Sequence, residues 1–122
     1  METKEVFMKK VVLFAFNGEL MCFVHVLLNA LDMKEQGFEV KIIIEGSATK
    51  LIPDLIVEGN LLNGPYKKAR AENLIDGVCK ACATKMGTAE EAKIMGLPLL
   101  NDMWGHPGLT KYLKEGYDVI TF

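Results

Sequence analysis

The sequence lacks an apolar run of about 20 residues, the length a helix needs to cross a bilayer. Its nearest approach, residues 20–31, is nearly all apolar but too short, so no membrane partner is expected. Excess charge of one sign is also missing. Fourteen Lys and Arg stand against sixteen Asp and Glu, a net charge of −2, so no polybasic surface is available to hold a phosphate backbone and nucleic acid is not an expected partner. There is no G-x-x-x-x-G-K-[ST] loop and no G-x-G-x-x-G, which leaves nucleotide binding without support. Cysteine is scarce and odd in number, three in a chain of 122 residues with no secretion signal. That count fits a reducing compartment better than a disulfide scaffold, and the expected location is cytoplasmic.

What is present is enough apolar material for one core. Half of the residues are hydrophobic and a quarter charged, the balance of a folded globular domain. Residues 1–8 read as a flexible leader and 9–122 as a single α/β domain. Residues 10–16 form a continuous apolar run closed by Asn17-Gly18, the mark of a strand buried on both faces. Residues 19–36 predict a mostly buried helix stopped by Gly37, with His25, Asn29, Asp32 and Gln36 along one polar stripe. A second strand over 38–45 precedes a short helical stretch interrupted by Pro53. Residues 65–74 predict a helix ended by Asp76-Gly77, followed by a brief third strand over 77–80 that runs into a short helix at Cys82. Thr88 and Glu91 have the spacing of a capping box, opening a helix that stops at Gly96. A fourth strand is expected at 97–100, a helix opened by His106-Pro107, and a fifth strand at 117–122. Five apolar strands separated by helices predict a parallel sheet covered on both faces.

In such a sheet, reactive groups collect at the carboxyl ends of the strands. Four loops there carry polar candidates: Asn17-Gly18-Glu19, Glu45-Gly46-Ser47, Cys79 with Cys82, and the segment from Asn101 to His106. The pair Cys79-Lys80-Ala81-Cys82 stands where a strand turns into a helix, and helix N-terminal N–H groups stabilise an anion. A lowered thiol pKa is therefore expected at Cys79. The alternative meaning of such a pair is inert packing. His106 is a candidate to activate the thiol, or else a helix cap. Cys22 reads as a buried small hydrophobe, Trp104 as packing or an interface residue, and Lys80 and Lys85 as solvated surface that adds positive charge near the thiols. One C-x-x-C supplies half of a zinc knuckle. His106 and Asp102 are the residues that would complete it, but the remaining spacing matches no familiar site, so neither a metal nor another cofactor is expected.

The stretch from Gly77 through Cys79, Ala81, Cys82 and Ala83 to Gly87 resembles the cysteine loop of the DsrE/DsrF-like family of small sulfur-relay proteins. The similarity extends over nearly the whole chain, through Glu90-Glu91-Ala92 to the closing strand. Cys79 falls on the family's reactive cysteine, Ala81 and Ala83 on its alanines, and Gly87 on its glycine. Cys82 stands where the relay subunits usually have alanine, and Lys85-Met86 replaces their basic pair. The resemblance implies a three-layer α/β/α domain with a five-stranded parallel sheet in the order 4-3-2-1-5, and assembly into homo-trimers or hexamers. It also implies a sulfur carrier or sulfurtransferase that holds sulfane sulfur on Cys79 as a persulfide, exchanging it with donor and acceptor proteins or small sulfur compounds. Cys82 is then a resolving thiol or packs behind the reactive one. Two alternatives stand beside this reading: an oligomeric binding or scaffold protein with structural thiols, and a dithiol redox protein using Cys79 and Cys82.

Overall fold

The computed structural model describes residues 8–122; except for Met8, the expected leader lies outside the described residues. Strands β1 (Lys10–Ala15), β2 (Glu39–Ile44), β3 (Ile75–Cys79), β4 (Leu99–Leu100) and β5 (Asp118–Thr121) form one sheet. All neighbours are parallel and the order is β4-β3-β2-β1-β5, as the resemblance implies. Helices α1 (Leu20–Glu35), α2 (Asn63–Ala71), α3 (Lys80–Met86), α4 (Ala89–Ile94) and α5 (Thr110–Lys114) connect the strands, with a 3-10 helix over Gly46–Ile56 between β2 and α2. The architecture is α/β with three layers. Among the described residues, no helix is long and apolar enough to cross a membrane.

Side chains alternate across a strand, and β1 shows why its segment reads as an unbroken apolar run. Val11, Leu13 and Ala15 join a larger core with Phe23, Val26 and Leu27 of α1 and with Leu51, Ile52 and Leu55 of the 3-10 helix. Val12 and Phe14 join a smaller core on the opposite face with Ile43, Tyr112 and Tyr117. Both faces are dry, so neither needs a polar position.

The structure corrects several local expectations. Asp76 and Gly77 lie inside β3 and do not end α2, which stops at Ala71; the turn is made by Asn73, with φ of 61°. Gly77 belongs in the strand because the Leu100 side chain occupies the space a Cβ would take. The Thr88 hydroxyl makes no cap bond to α4. It is buried and donates to the Thr49 carbonyl at 2.8 Å, a long-range partner that the local spacing does not reveal. Pro107 does not open α5, which begins only at Thr110. Finally, α1 buries one stripe, including Phe23, Val26, Leu27 and Ala30, and leaves Met21, Cys22, His25 and Leu28 exposed. Cys22 is therefore a surface thiol, because the apolar residues of this helix outnumber the positions that one sheet-facing stripe can cover.

Candidate functional site

Strand β3 ends at Cys79, whose extended backbone makes it the N-cap of α3. Its Sγ accepts a hydrogen bond from the Cys82 N–H at 3.3 Å, one of the donors that a first helical turn leaves unpaired. The sulfur itself is 0% exposed, whereas Cys82 is half-buried. All three cysteines are free thiols.

His106 arrives through a tight hairpin. Met103 and His106 exchange two backbone hydrogen bonds of 2.8 Å, and the turn residues Trp104 and Gly105 have φ of 51° and 88°. Positive φ at both central positions marks a type I′ turn. The turn is tied down by the Ala81 N–H, which donates to the Gly105 carbonyl at 2.8 Å. A Cβ on Gly105 would lie 3.1 Å from the Ala81 Cβ, so this contact favours glycine on steric as well as conformational grounds. The chain reversal brings His106 Nδ1 to 3.1 Å from Cys79 Sγ and 3.7 Å from Cys82 Sγ. His106 thus faces the thiols and caps no helix. Trp104 is 95% exposed at the tip of the turn, so it is not a packing residue among the described residues.

The fourth member is a residue that the sequence leaves among loop candidates. Ile44 of β2 pairs with Val78 of β3, so parallel register sets Glu45 beside Cys79. Its carboxylate is 12% exposed and lies 3.9 Å from His106 Nδ1. One ligand atom from each of Glu45, Cys79, Cys82 and His106 falls within 4.8 Å of the others. The sequence signal for Glu45 is its position as the first charged residue after a buried strand whose neighbour ends in Cys79. Asp102 is not in the group; its carboxylate accepts from the Gly108 N–H at 3.3 Å. Asn17 accepts from the Glu19 N–H within its own loop, and Ser47 accepts from the Gly18 N–H and so ties the loop after β2 to the loop after β1. Lys80 and Lys85 are exposed and line a shallow depression with Ala81, Thr84, Asn101 and Gly105.

The electrostatics differ from the expected easy thiolate. Burial pushes the Cys79 thiol up to about 12, the Cys82 thiol and the Glu45 carboxylate act in the same direction, and the Cys82 N–H alone opposes them. One helix-end donor does not offset the desolvation of a fully covered sulfur. Burial also raises Glu45, with the neighbouring His106 acting in the opposite sense. At neutral pH Cys79 therefore rests as a thiol, with an imidazole nitrogen as the nearest base and a carboxylate beyond it.

Comparison with known proteins gives relatives without an assigned activity. No family model matches the chain, and no solved structure matches it. An uncharacterized protein of Archaeoglobus fulgidus is 42% identical over 59 residues, spanning 48% of this chain and 95% of that relative. The uncharacterized protein MJ0733 of Methanocaldococcus jannaschii is 43% identical over 96 residues, 79% of this chain and 76% of its own length. At that identity and coverage, the chain belongs to the family of the Methanocaldococcus jannaschii protein.

Proposed function

We propose that the chain is a sulfur carrier of the sulfurtransferase type, in which Cys79 accepts sulfane sulfur and holds it as a persulfide. The observation that carries this reading is the 3.1 Å approach of His106 Nδ1 to Cys79 Sγ, at the strand ends where a parallel sheet gathers its chemistry. The resemblance of the Cys79 loop to that of DsrE/DsrF-like proteins supports it independently. As the donor approaches, the thiol proton passes to His106 Nδ1. The thiolate then attacks the outer sulfur of a donor persulfide, the Cys79 S–S bond forms, the donor S–S bond breaks, and the donor leaves as a thiolate that takes the proton back from His106. No net oxidation occurs. The Glu45 carboxylate stands 3.9 Å from the nitrogen that receives the proton.

The depression flanked by Lys80 and Lys85 suits an anionic donor or acceptor group. The exposed Met21, Cys22 and Leu28 on α1 support a homo-oligomer, trimer or hexamer, built through that face. Three free thiols support work in the cytoplasm.

If His106 is the base, His106→Ala slows sulfur loading by about 100-fold or more, while Asp102→Asn loads at the parent rate. The check is the rate of mass gain when the reduced, chelator-treated chain meets a polysulfide. Equal rates for His106→Ala and the parent would remove the base and, with it, the reason to place this chemistry at Cys79.

A further inference from the structure

We infer that Glu45, Cys79, Cys82 and His106 form a binding site for a thiophilic divalent cation of the zinc class, and that an ion bound there closes Cys79 to sulfur. The residues come from three separate strand ends, those of β2, β3 with the first turn of α3, and β4, so no spacing rule in the sequence discloses the set. Two geometric observations carry the inference.

The first is the size of the cluster. Zinc binds thiolate sulfur at about 2.3 Å and imidazole nitrogen at about 2.0–2.1 Å, which puts neighbouring tetrahedral ligand atoms about 3.4–3.8 Å apart. His106 Nδ1 lies 3.1 Å from Cys79 Sγ, 3.7 Å from Cys82 Sγ and 3.9 Å from Glu45 Oε2. These three edges bracket the required ones and the others are no longer than 4.8 Å, so rotamer shifts of up to about 1 Å admit an ion. The set is also complete at four, the number for a closed tetrahedral site.

The second is Glu45. Among the described residues its carboxylate has one polar partner, His106 at 3.9 Å, which is beyond hydrogen-bond reach. A carboxylate only 12% exposed with no hydrogen bond is costly to bury, and a cation at the centre of the cluster supplies the missing compensation. Two thiolates and an imidazole select a borderline-soft ion over magnesium or calcium, which prefer all-oxygen shells. Binding requires each thiol to lose its proton to solvent as a sulfur–metal bond forms, and no electron is transferred. The blocking effect rests on the sulfur-carrier reading, because the sulfur lone pair given to the ion is the one that attacks a donor.

The test uses the reduced full chain and cobalt(II) as the probe, followed by displacement with zinc. The expected result is one ion per chain, with the visible bands of a tetrahedral centre and thiolate-to-cobalt charge transfer. Glu45→Gln and His106→Ala each weaken binding by about 100-fold or more, Cys82→Ser removes part of the charge-transfer intensity, and Asp102→Asn changes nothing. Thermal melts in chelator establish that each variant is folded. A spectrum without charge transfer, or affinity unchanged by both Glu45→Gln and His106→Ala in folded protein, overturns the site. Zinc-loaded chain is then offered polysulfide; sulfur loading as fast as in chelator overturns the blocking role. Loading in chelator without any cobalt site overturns this inference alone, whereas a cobalt site in a chain that never loads sulfur overturns the carrier reading and leaves the metal site standing.

Discussion

A Cys79→Ser chain gains no sulfur from a polysulfide or thiosulfate donor, while Cys22→Ser loads like the parent. The difference follows from the placement of the two thiols. Cys22 stands on the exposed side of α1, outside the cluster of Glu45, Cys79, Cys82 and His106. Cys79 is covered, has a base at 3.1 Å, and is followed by a helix whose Cys82 N–H already points at the sulfur. A serine side chain fits the same space beside His106 Nδ1, which lies 3.1 Å from the sulfur, so the fold is retained and the result reads on chemistry. Intact mass after exposure to donor is the measurement. Undiminished loading of Cys79→Ser would place the acceptor elsewhere, with Cys82 as the next thiol to replace.

The second large effect is on stability. A Cβ on Gly77 would meet Leu100 Cγ at 2.5 Å, Cδ1 at 2.6 Å and Cδ2 at 2.9 Å, so Gly77→Val drives the Leu100 side chain away from the smaller core it packs against. Overpacking of this kind costs about 1–3 kcal/mol, which lowers Tm by roughly 5–15 °C in a chain of this size. The disturbance falls on β4, whose Leu100 pairs with Cys79 and leads directly into the His106 hairpin. The control is Gly64→Ala in the first turn of α2, where nothing lies within 4 Å of the new methyl; it raises stability by about 0.5–1 kcal/mol through helix propensity. Calorimetry on the two variants checks both signs. A Gly77→Val chain that melts with the parent would show that the contact at β4 yields freely.

Much of the fold is legible in the sequence because parallel strands buried on both faces leave an unmistakable record. Residues 11–16 are apolar without a break and residues 42–44 are three isoleucines in a row, and both runs fall in central strands of the sheet. Short elements fare less well, since tertiary contacts decide them. Thr88 has the spacing of a cap and spends its hydroxyl on Thr49, 39 positions away. The proline after His106 suggests a helix start, yet an I′ turn three residues earlier has already fixed the direction of the chain.

The candidate site divides along the same line. Cys79, Cys82 and His106 are found by residue type and by their place at strand ends. Glu45 is named only as one of several loop candidates, because its membership depends on the pairing of β2 with β3, which parallel topology sets and local sequence does not. The state of the thiol is also invisible in the sequence. A helix N-terminus argues for a lowered pKa, but the complete covering of Cys79 by the hairpin and the sheet outweighs it. That is why His106 carries so much of the account: a thiol pushed up to about 12 needs a base within reach when a donor arrives.

The most direct test is to locate the sulfur. Reduced, chelator-treated chain is incubated with polysulfide, digested, and each cysteine peptide weighed. One added sulfur is expected on the peptide that carries Cys79, removed by reductant, with the Cys22 peptide unchanged. Equal addition to Cys22, no adduct with any donor, or loss of two hydrogens across Cys79 and Cys82 in its place would contradict the carrier reading.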